Sequence, residues 1–309
     1  MKIIFAGFGD LGAAVLEPLL KVHEVLAVLT HPDRFTGLEG QVVRYLALHA
    51  HVPLFLSAAG RDPGLTAQLR DLGADVLVST NWRTRMPPDL LEVARLGAVN
   101  VHDSLLPTYA GFGSVNWVIR DGLDHIGLTV HYMTEELDTG PIILQTRLEI
   151  GADEDATSVT QRLTARYGDS LLSALEEVAA GSTGRAQDPA KGSFGHRITI
   201  EDTRIDWGLS TRQILDLVRA QSTPFVNAWA MDGSERLFIT RAIAPGRAAR
   251  GTPGRVMARA DGGVLVACGP PGGPDSRGVI VTRVRAGDAG DEVDAVAHFG
   301  PVRGARYLT

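Results

Sequence analysis

Across 309 residues the chain carries a single cysteine, Cys268. One thiol excludes an internal disulfide and any zinc site built from several cysteines. It suits a reducing compartment, so a cytoplasmic location is expected. Long apolar runs are missing too: no stretch approaches the roughly 20 apolar residues that cross a bilayer. The opening Met1-Lys2-Ile3-Ile4-Phe5-Ala6 is interrupted by Gly7, Gly9 and Asp10 before a secretory leader could form, and it reads as a first strand. A soluble protein with no membrane partner is expected. Nor is there a basic run. Residues 1–206 hold 17 basic and 27 acidic groups, and residues 207–309 hold 13 and 9, with the arginines scattered through strand-like sequence. Nucleic-acid binders concentrate basic charge on the recognising surface, so nucleic acid is not the expected partner.

The length exceeds what one compact core usually supports, which points to two domains. The first part alternates strand-like and helix-like segments: Lys2 to Ala6 then Leu11 to Leu20, Val25 to Thr30 then Gln41 to His49, Asp75 to Thr80 then Asp89 to Ala94. Such alternation implies an α/β domain with a parallel sheet and helices on both faces. From Asp155 to Ala180, Val159, Leu163, Tyr167, Leu171, Leu175 and Val178 recur at helical spacing, with Gly181 placed as terminator. A polar, glycine-containing stretch follows. One further helix, Thr211 to Ala220, precedes short glycine-bounded β-like runs, Leu237 to Thr240, Gly254 to Ala258, Gly263 to Ala267 and Gly278 to Arg283, which suggest a small barrel or sandwich. The expected division is 1–188 for the first domain, 189–206 for a linker and 207–309 for the β domain.

Two places carry candidate chemistry. Asn100 and His102 close the apolar run Gly97-Ala98-Val99, and alternation along a strand projects both to the same side. Asp138 stands in the turn Glu135-Glu136-Leu137-Asp138-Thr139-Gly140-Pro141 between the alternating run Leu128 to Met133 and the apolar Ile142 to Leu144. Turns of this kind present side chains. The rival signal is Gly7-Phe8-Gly9-Asp10-Leu11-Gly12, a literal G-x-G-x-x-G between strand and helix, which would suit a nicotinamide-dependent oxidoreductase. Against it, the second strand ends at Leu29-Thr30-His31 and the nearest acid, Asp33, comes only after Pro32, in the loop. The plainer reading of these glycines is a tight turn that lets helix and sheet approach. Ser104 lacks the G-x-S-x-G elbow of an acyl-enzyme nucleophile and reads as a loop-capping hydroxyl. His49 and His51 have no partners at zinc spacing, so no metal is expected. Trp82 and Trp117 suit a pocket wall or the core equally.

Taken together, Asn100-Val101-His102, Ser104-Leu105-Leu106-Pro107 with Tyr109-Ala110-Gly111, and Leu137-Asp138-Thr139-Gly140 resemble the 10-formyltetrahydrofolate-dependent formyltransferase family. That family includes methionyl-tRNA, glycinamide ribonucleotide, amino-sugar and hydroxyornithine formyltransferases. The resemblance extends through Arg204-Ile205-Asp206-Trp207 and Val218-Arg219-Ala220-Gln221 to Gly251-Thr252-Pro253-Gly254-Arg255-Val256 and Asp261-Gly262-Gly263-Val264. It implies a Rossmann-like formyltransferase domain followed by a small OB-like β-barrel. Methionyl-tRNA formyltransferases carry a basic insertion after the second strand and an arginine-rich stretch after Leu-Leu-Pro. Here Thr30 to Glu39 has one arginine and two acids, and Thr108-Tyr109-Ala110-Gly111-Phe112-Gly113 is uncharged. With Asn81-Trp82-Arg83, Pro87-Pro88 and Asp103, the pattern looks most like small-amine enzymes of siderophore pathways.

The resemblance implies an N-formyltransferase of one-carbon groups, of the EC 2.1.2 type. It would move a formyl group from 10-formyltetrahydrofolate, as co-substrate, to an ornithine or N-hydroxyornithine amine. A nucleotide-linked amino sugar and methionyl-tRNA are the alternatives. Asn100, His102 and Asp138 would be catalytic. Asn100 and protonated His102 would face the oxyanion, Asp138 would orient the imidazole, and His102 would relay protons from the amine and to the folate nitrogen. Met86, Ser104, Leu105, Leu106, Pro107, Glu135, Glu136 and Gly140 would hold the folate. Arg83, Tyr109 and Asp10, with Asp33, are candidates for the amine substrate, Arg83 for a carboxylate and the acids for a cation.

Overall fold

The computed structural model describes residues 1–32, 41–57, 62–270, 278–302 and 304–309. The chain contributes alternately to two compact units. Met1–Ser114, His125–Glu149 and Gln161–Gly195 form one, and Val115–Asp124, Ile150–Thr160 and His196–Thr309 form the other.

In the first unit β1 (Lys2–Gly7), α1 (Gly9–Val22), β2 (Glu24–Thr30), α2 (Gln41–His49), β3 (Leu54–Leu56), α3 (Pro63–Asp71), β4 (Val76–Thr80), α4 (Pro88–Leu91) and β5 (Ala98–His102) alternate strand and helix. After them along the chain come β6 (Ala110–Gly111), β7 (His125–Tyr132), β8 (Ile142–Glu149) and β9 (Phe194–Gly195), while α5 (Ser114–Arg120) falls almost wholly in the second unit and α6 (Ala156–Ala179) starts in the second and continues in the first. The main sheet has the order β3-β2-β1-β4-β5-β7-β8. Its first five strands are parallel and almost continuously apolar, as strands buried on both faces must be. The expected parallel sheet is therefore present, and beyond it two antiparallel strands are added: β7 runs antiparallel to β5, and β8 to β7. The chain leaves β5 at its carboxyl end and re-enters there, so no crossover along the sheet is needed.

One face of this sheet is covered by Met86, Leu90, Leu91, Val93 and Ala94, which pack on Ile4, Ala6, Leu29, Leu77 and Ala98. By strand alternation Asn100 and His102 share that face with Ala98. Helix α6 ends with Gly181 at φ +88°, and the amides of Gly181 and Ser182 close onto the carbonyls of Val178 and Glu177, both at 3.0 Å. This is the terminator that the glycine announced.

The second unit contains α7 (Thr211–Ala220), β10 (Ala228–Asp232), β11 (Glu235–Ile243), β12 (Arg255–Ala260), β13 (Gly263–Ala267), β14 (Gly278–Ala286), β15 (Glu292–Asp294), α8 (Ala295–Phe299) and β16 (Arg306–Tyr307). A capping box starts α7: the Ser210 hydroxyl accepts from Gln213 N at 3.3 Å, and the Gln213 side chain accepts from Ser210 N at 3.1 Å. The strands form one antiparallel sheet in the order β10-β11-β14-β13-β12-β16. Its two ends meet where Met231 and Thr309 exchange backbone hydrogen bonds of 2.6 and 3.0 Å. Leu237, Ile239, Val256, Val264, Val266, Val279, Val281 and Trp207 fill its interior. The expected small curled β domain is therefore present. No described helix is long and apolar enough to cross a membrane.

Candidate active site

The site grows from the carboxyl end of β5. In the ladder with β7, Asn100 stands opposite His131 and His102 opposite Thr129. Asp138 arrives from the turn between β7 and β8, where it adopts φ +56°, a conformation that Asp tolerates better than most side chains. Two contacts hold it there. Its Oδ2 accepts from Gly111 N at 2.8 Å, and Gln187 Nε2 donates to the carbonyls of Asp138 and Gly140 at 2.8 and 2.7 Å. A Cβ on Gly140 would collide with the Tyr132 carbonyl oxygen, so only glycine lets the turn lie this close to β7.

His102 is buried, and its Nε2 lies 2.9 Å from the Tyr109 carbonyl, with the Ser114 hydroxyl at 3.3 Å. A carbonyl only accepts, so Nε2 carries a hydrogen and Nδ1 is the nitrogen left for chemistry. Nδ1 faces two carboxylates, Asp138 Oδ2 at 3.6 Å and Asp103 Oδ1 at 3.8 Å. Burial opposes charge on this imidazole, but Asp138, Asp103 and the Tyr109 carbonyl outweigh it and raise its pKa. Burial also opposes charge on Asp138. There His102, His131 and the Gly111 amide prevail and hold the carboxyl at about 2.

His131 is a member of this constellation that sequence reasoning passed over. Its Nδ1 lies 2.7 Å from the Tyr132 carbonyl and so carries a hydrogen, while Nε2 lies 3.3 Å from Asn100 Nδ2 and 3.6 Å from Asp138 Oδ1. The 3.3 Å contact turns the Asn100 amide toward His131 and leaves its second N–H for a ligand. The signal was the alternation Thr129, His131, Met133, but only the pairing with β5 shows which face it lines.

The other predicted residues divide. Leu106 and Met86 are buried, Met86 within the cluster on the Asn100 face, and Leu105 lies over Gly127, where a Cβ would strike its side chain. Ser104 is fully buried and its hydroxyl donates to Thr108 O at 2.7 Å, so it shapes the loop and cannot touch a folate through its side chain. Pro107 is partly buried, and Glu135 and Glu136 are exposed on the turn. Tyr109 enters the site through its carbonyl, at φ +55°. Asp10 is exposed in the first turn of α1, and the Arg83 guanidinium lies 4.5 Å from the Phe8 ring, beside the same helix start. Asp33 lies outside the described residues. Trp82 packs tilted against His31 with ring centroids 4.1 Å apart, and Trp117 donates to the His196 carbonyl at 3.0 Å. Among the described residues no three potential metal ligands are gathered.

The glycine turn serves packing. The Phe5 ring occupies the space beside Gly7, Gly12 leaves room for Val43 and the Gly7 backbone, and Asn81 crosses the turn to donate to Phe8 O at 3.1 Å.

Comparison with known proteins agrees with the geometry. Residues 1–175 match the family model described as formyl transferase, and residues 197–285 that described as formyl transferase, C-terminal domain. The chain belongs to the formyl transferase family. It is 35% identical to a methionyl-tRNA formyltransferase of Anaeromyxobacter dehalogenans over 294 residues, covering 92% of each chain. It is 34% identical to that of Geobacter metallireducens over 277 residues, covering 87% of this chain and 88% of that one. Among solved structures, an N-formyltransferase from Helicobacter canadensis, in complex with folinic acid and dTDP-3-aminofucose, superposes with a TM-score of 0.65 at 17% identity, over 91% of this chain and 98% of that one. HypX from Aquifex aeolicus, in complex with tetrahydrofolic acid, does so with a TM-score of 0.61 at 16% identity, over 100% of this chain and 50% of that one. At such identities these structures speak for the fold. The oxidoreductase alternative is not supported.

Proposed function

We propose that this formyltransferase carries the formyl group of 10-formyltetrahydrofolate to the amine of a small molecule, with an ornithine-type precursor of a siderophore or related natural product ahead of a nucleotide-linked amino sugar. The observation that carries the small-amine reading is the segment Thr108–Gly113. Its backbone is built into the site through the Tyr109 carbonyl and the Gly111 amide, yet it presents no basic side chain to a polyanion.

In this reading Asn100 Nδ2 and the imidazolium of His102 donate to the oxygen that gains charge when the amine attacks the formyl carbon. Donors already aimed at that position cost no reorganisation at the moment of reaction. Asp138 holds His102 in its charged form and ties it to the Gly111 backbone. The buried Met86 and Leu106 offer apolar surface for a pterin, and the turn around Gly140 offers main-chain groups to its polar edge. That donor set fits a folate, and no step above needs a metal.

A second reading, formylation of methionyl-tRNA, is favoured by the near full-length identity to enzymes of that name. One assay separates the readings. Release of tetrahydrofolate is followed by absorbance with ornithine, N-hydroxyornithine, nucleotide-linked amino sugars, methionyl-tRNA and no acceptor. Turnover with a small amine supports the proposal, and turnover with methionyl-tRNA alone overturns it. Asn100→Ala, His102→Ala and Asp138→Ala are each expected to cut turnover by about 100-fold or more with the fold intact; near-normal rates in all three would remove the assigned roles.

A further inference from the structure

Asp103 is the second carboxylate beside His102, and its surroundings differ from those of Asp138. The backbone around it is clamped: Thr129 Oγ1 donates to Ser104 O at 2.6 Å, and the Ser104 hydroxyl donates to Thr108 O at 2.7 Å. The side chain is 30% exposed against 5% for Asp138, and among the described residues no hydrogen bond to its carboxylate is found. Asp138 is committed to Gly111, His102 and His131. Asp103 has lone pairs to spare, on the His102 side that solvent and ligand can reach.

A cationic His102 creates a demand for such a group. With Nε2–H held on the Tyr109 carbonyl and a proton kept on Nδ1 by flanking carboxylates, the imidazolium can donate but has no lone pair to accept with. An attacking amine must nevertheless lose a proton. We propose that Asp103 is a further catalytic residue of this site, the carboxylate that accepts the proton of the attacking amine and returns it to His102. The assignment rests on the reading of the site as one for formyl transfer to an amine.

The protons and electrons balance. The amine lone pair forms the new C–N bond as the carbonyl π pair moves onto oxygen, and the proton released from nitrogen passes to Asp103. Oxygen re-forms the carbonyl as the bond to the folate nitrogen breaks, and His102 Nδ1 protonates that nitrogen. The proton on Asp103 then returns to the neutral Nδ1, 3.8 Å away in this structure, once the exposed carboxyl turns to hydrogen-bond reach or a water bridges the two, and the pair is restored. The net change is one proton moved from the amine to the folate nitrogen. The ionisable groups facing this pair are Asp138 from the turn after β7, His131 on β7 through Asp138, and Tyr167 on α6. Burial and the charge of Asp103 hold the Tyr167 phenol protonated.

The test uses Asp103→Asn and Asp103→Glu in the full-length enzyme, with the amine that the wild type turns over. Asp103→Asn is expected to lower kcat by about 100- to 10,000-fold, the usual contribution of general base catalysis, with the KM for the formyl donor unchanged. Asp103→Glu is expected to recover part of the loss. The alkaline limb of kcat/KM should move to lower pH in Asp103→Asn, which a merely structural residue would not cause. A wild-type kcat in Asp103→Asn, or an unmoved limb, overturns the proposal. If the wild type transfers formyl to no amine, the small-amine reading falls by itself. Asp103 is then judged by NMR titration of the His102 ring without substrate: a lower midpoint in Asp103→Asn supports the coupled pair, and an unchanged one overturns it.

Discussion

Replacing Asp138 by asparagine keeps the shape of the side chain and removes its charge. Its Oδ2 lies 3.6 Å from His102 Nδ1. At that distance two unit charges attract by about 1.2 kcal/mol in water and about 4.6 kcal/mol at the effective dielectric of a protein surface, or roughly one to three pH units. The carboxylate raises the His102 pKa, so the protonated imidazole persists to higher pH in the wild type and is lost as pH rises through that raised value. Asp138→Asn should therefore pull the alkaline limb of kcat/KM down by about one unit or more. Turnover at neutral pH should fall by about 100-fold or more. A stability difference should accompany the kinetic one. The Asp138 carboxyl is held at about 2 against an ordinary 3.8, which corresponds to about 2 kcal/mol. Because the folded pKa is depressed, this stabilisation is present above pH 3.8 and is lost as pH falls through about 2. The gap between wild type and Asp138→Asn in urea unfolding should be open at pH 7 and close on acidification. An alkaline limb that stays in place, with a constant gap, would refute the electrostatic role of Asp138.

Two further substitutions probe how the loop and turn are held. Thr129 Oγ1 donates to Ser104 O and accepts from Leu106 N and Gln145 Nε2 at 3.1 and 3.0 Å. Thr129→Val leaves buried backbone groups unpaired, so a loss of about 2–4 kcal/mol in urea unfolding and a raised KM for the formyl donor are expected; a loss under about 0.5 kcal/mol would show that the loop holds itself. Gly140→Ala would drive a methyl group into the Tyr132 carbonyl, costing about 1–3 kcal/mol and displacing Asp138. Its kcat should fall and its KM for the formyl donor should rise, and wild-type kcat would mean that the turn can move without the carboxylate.

Much of this architecture was legible along the chain, because burial imposes a period that the residues display. Thr211–Ala220 is α7 as read, Asp155–Ala180 shrinks by one residue at each end to α6, and the apolar runs before Gly7, His31 and Asn81 are strands. Short elements were not legible: β3 and α5 hold too few turns or pleats to show a period, and α4 stops at Leu91 where the pattern ran on to Ala94. Sequence alone determined the family, through Asn100, His102, the Leu105-Leu106-Pro107 loop and Asp138, and it determined that Asn100 and His102 share a face, since alternation is a local property of the backbone. The tertiary structure decided what surrounds them. His131 faces Asn100 only because β7 pairs antiparallel with β5 in that register. Asp103 reaches His102 because the strand ends between them and the loop swings the carboxylate back to 3.8 Å, where continued alternation would have sent it to the opposite face. Register and loop direction depend on groups far apart in the chain, so no local pattern could record them.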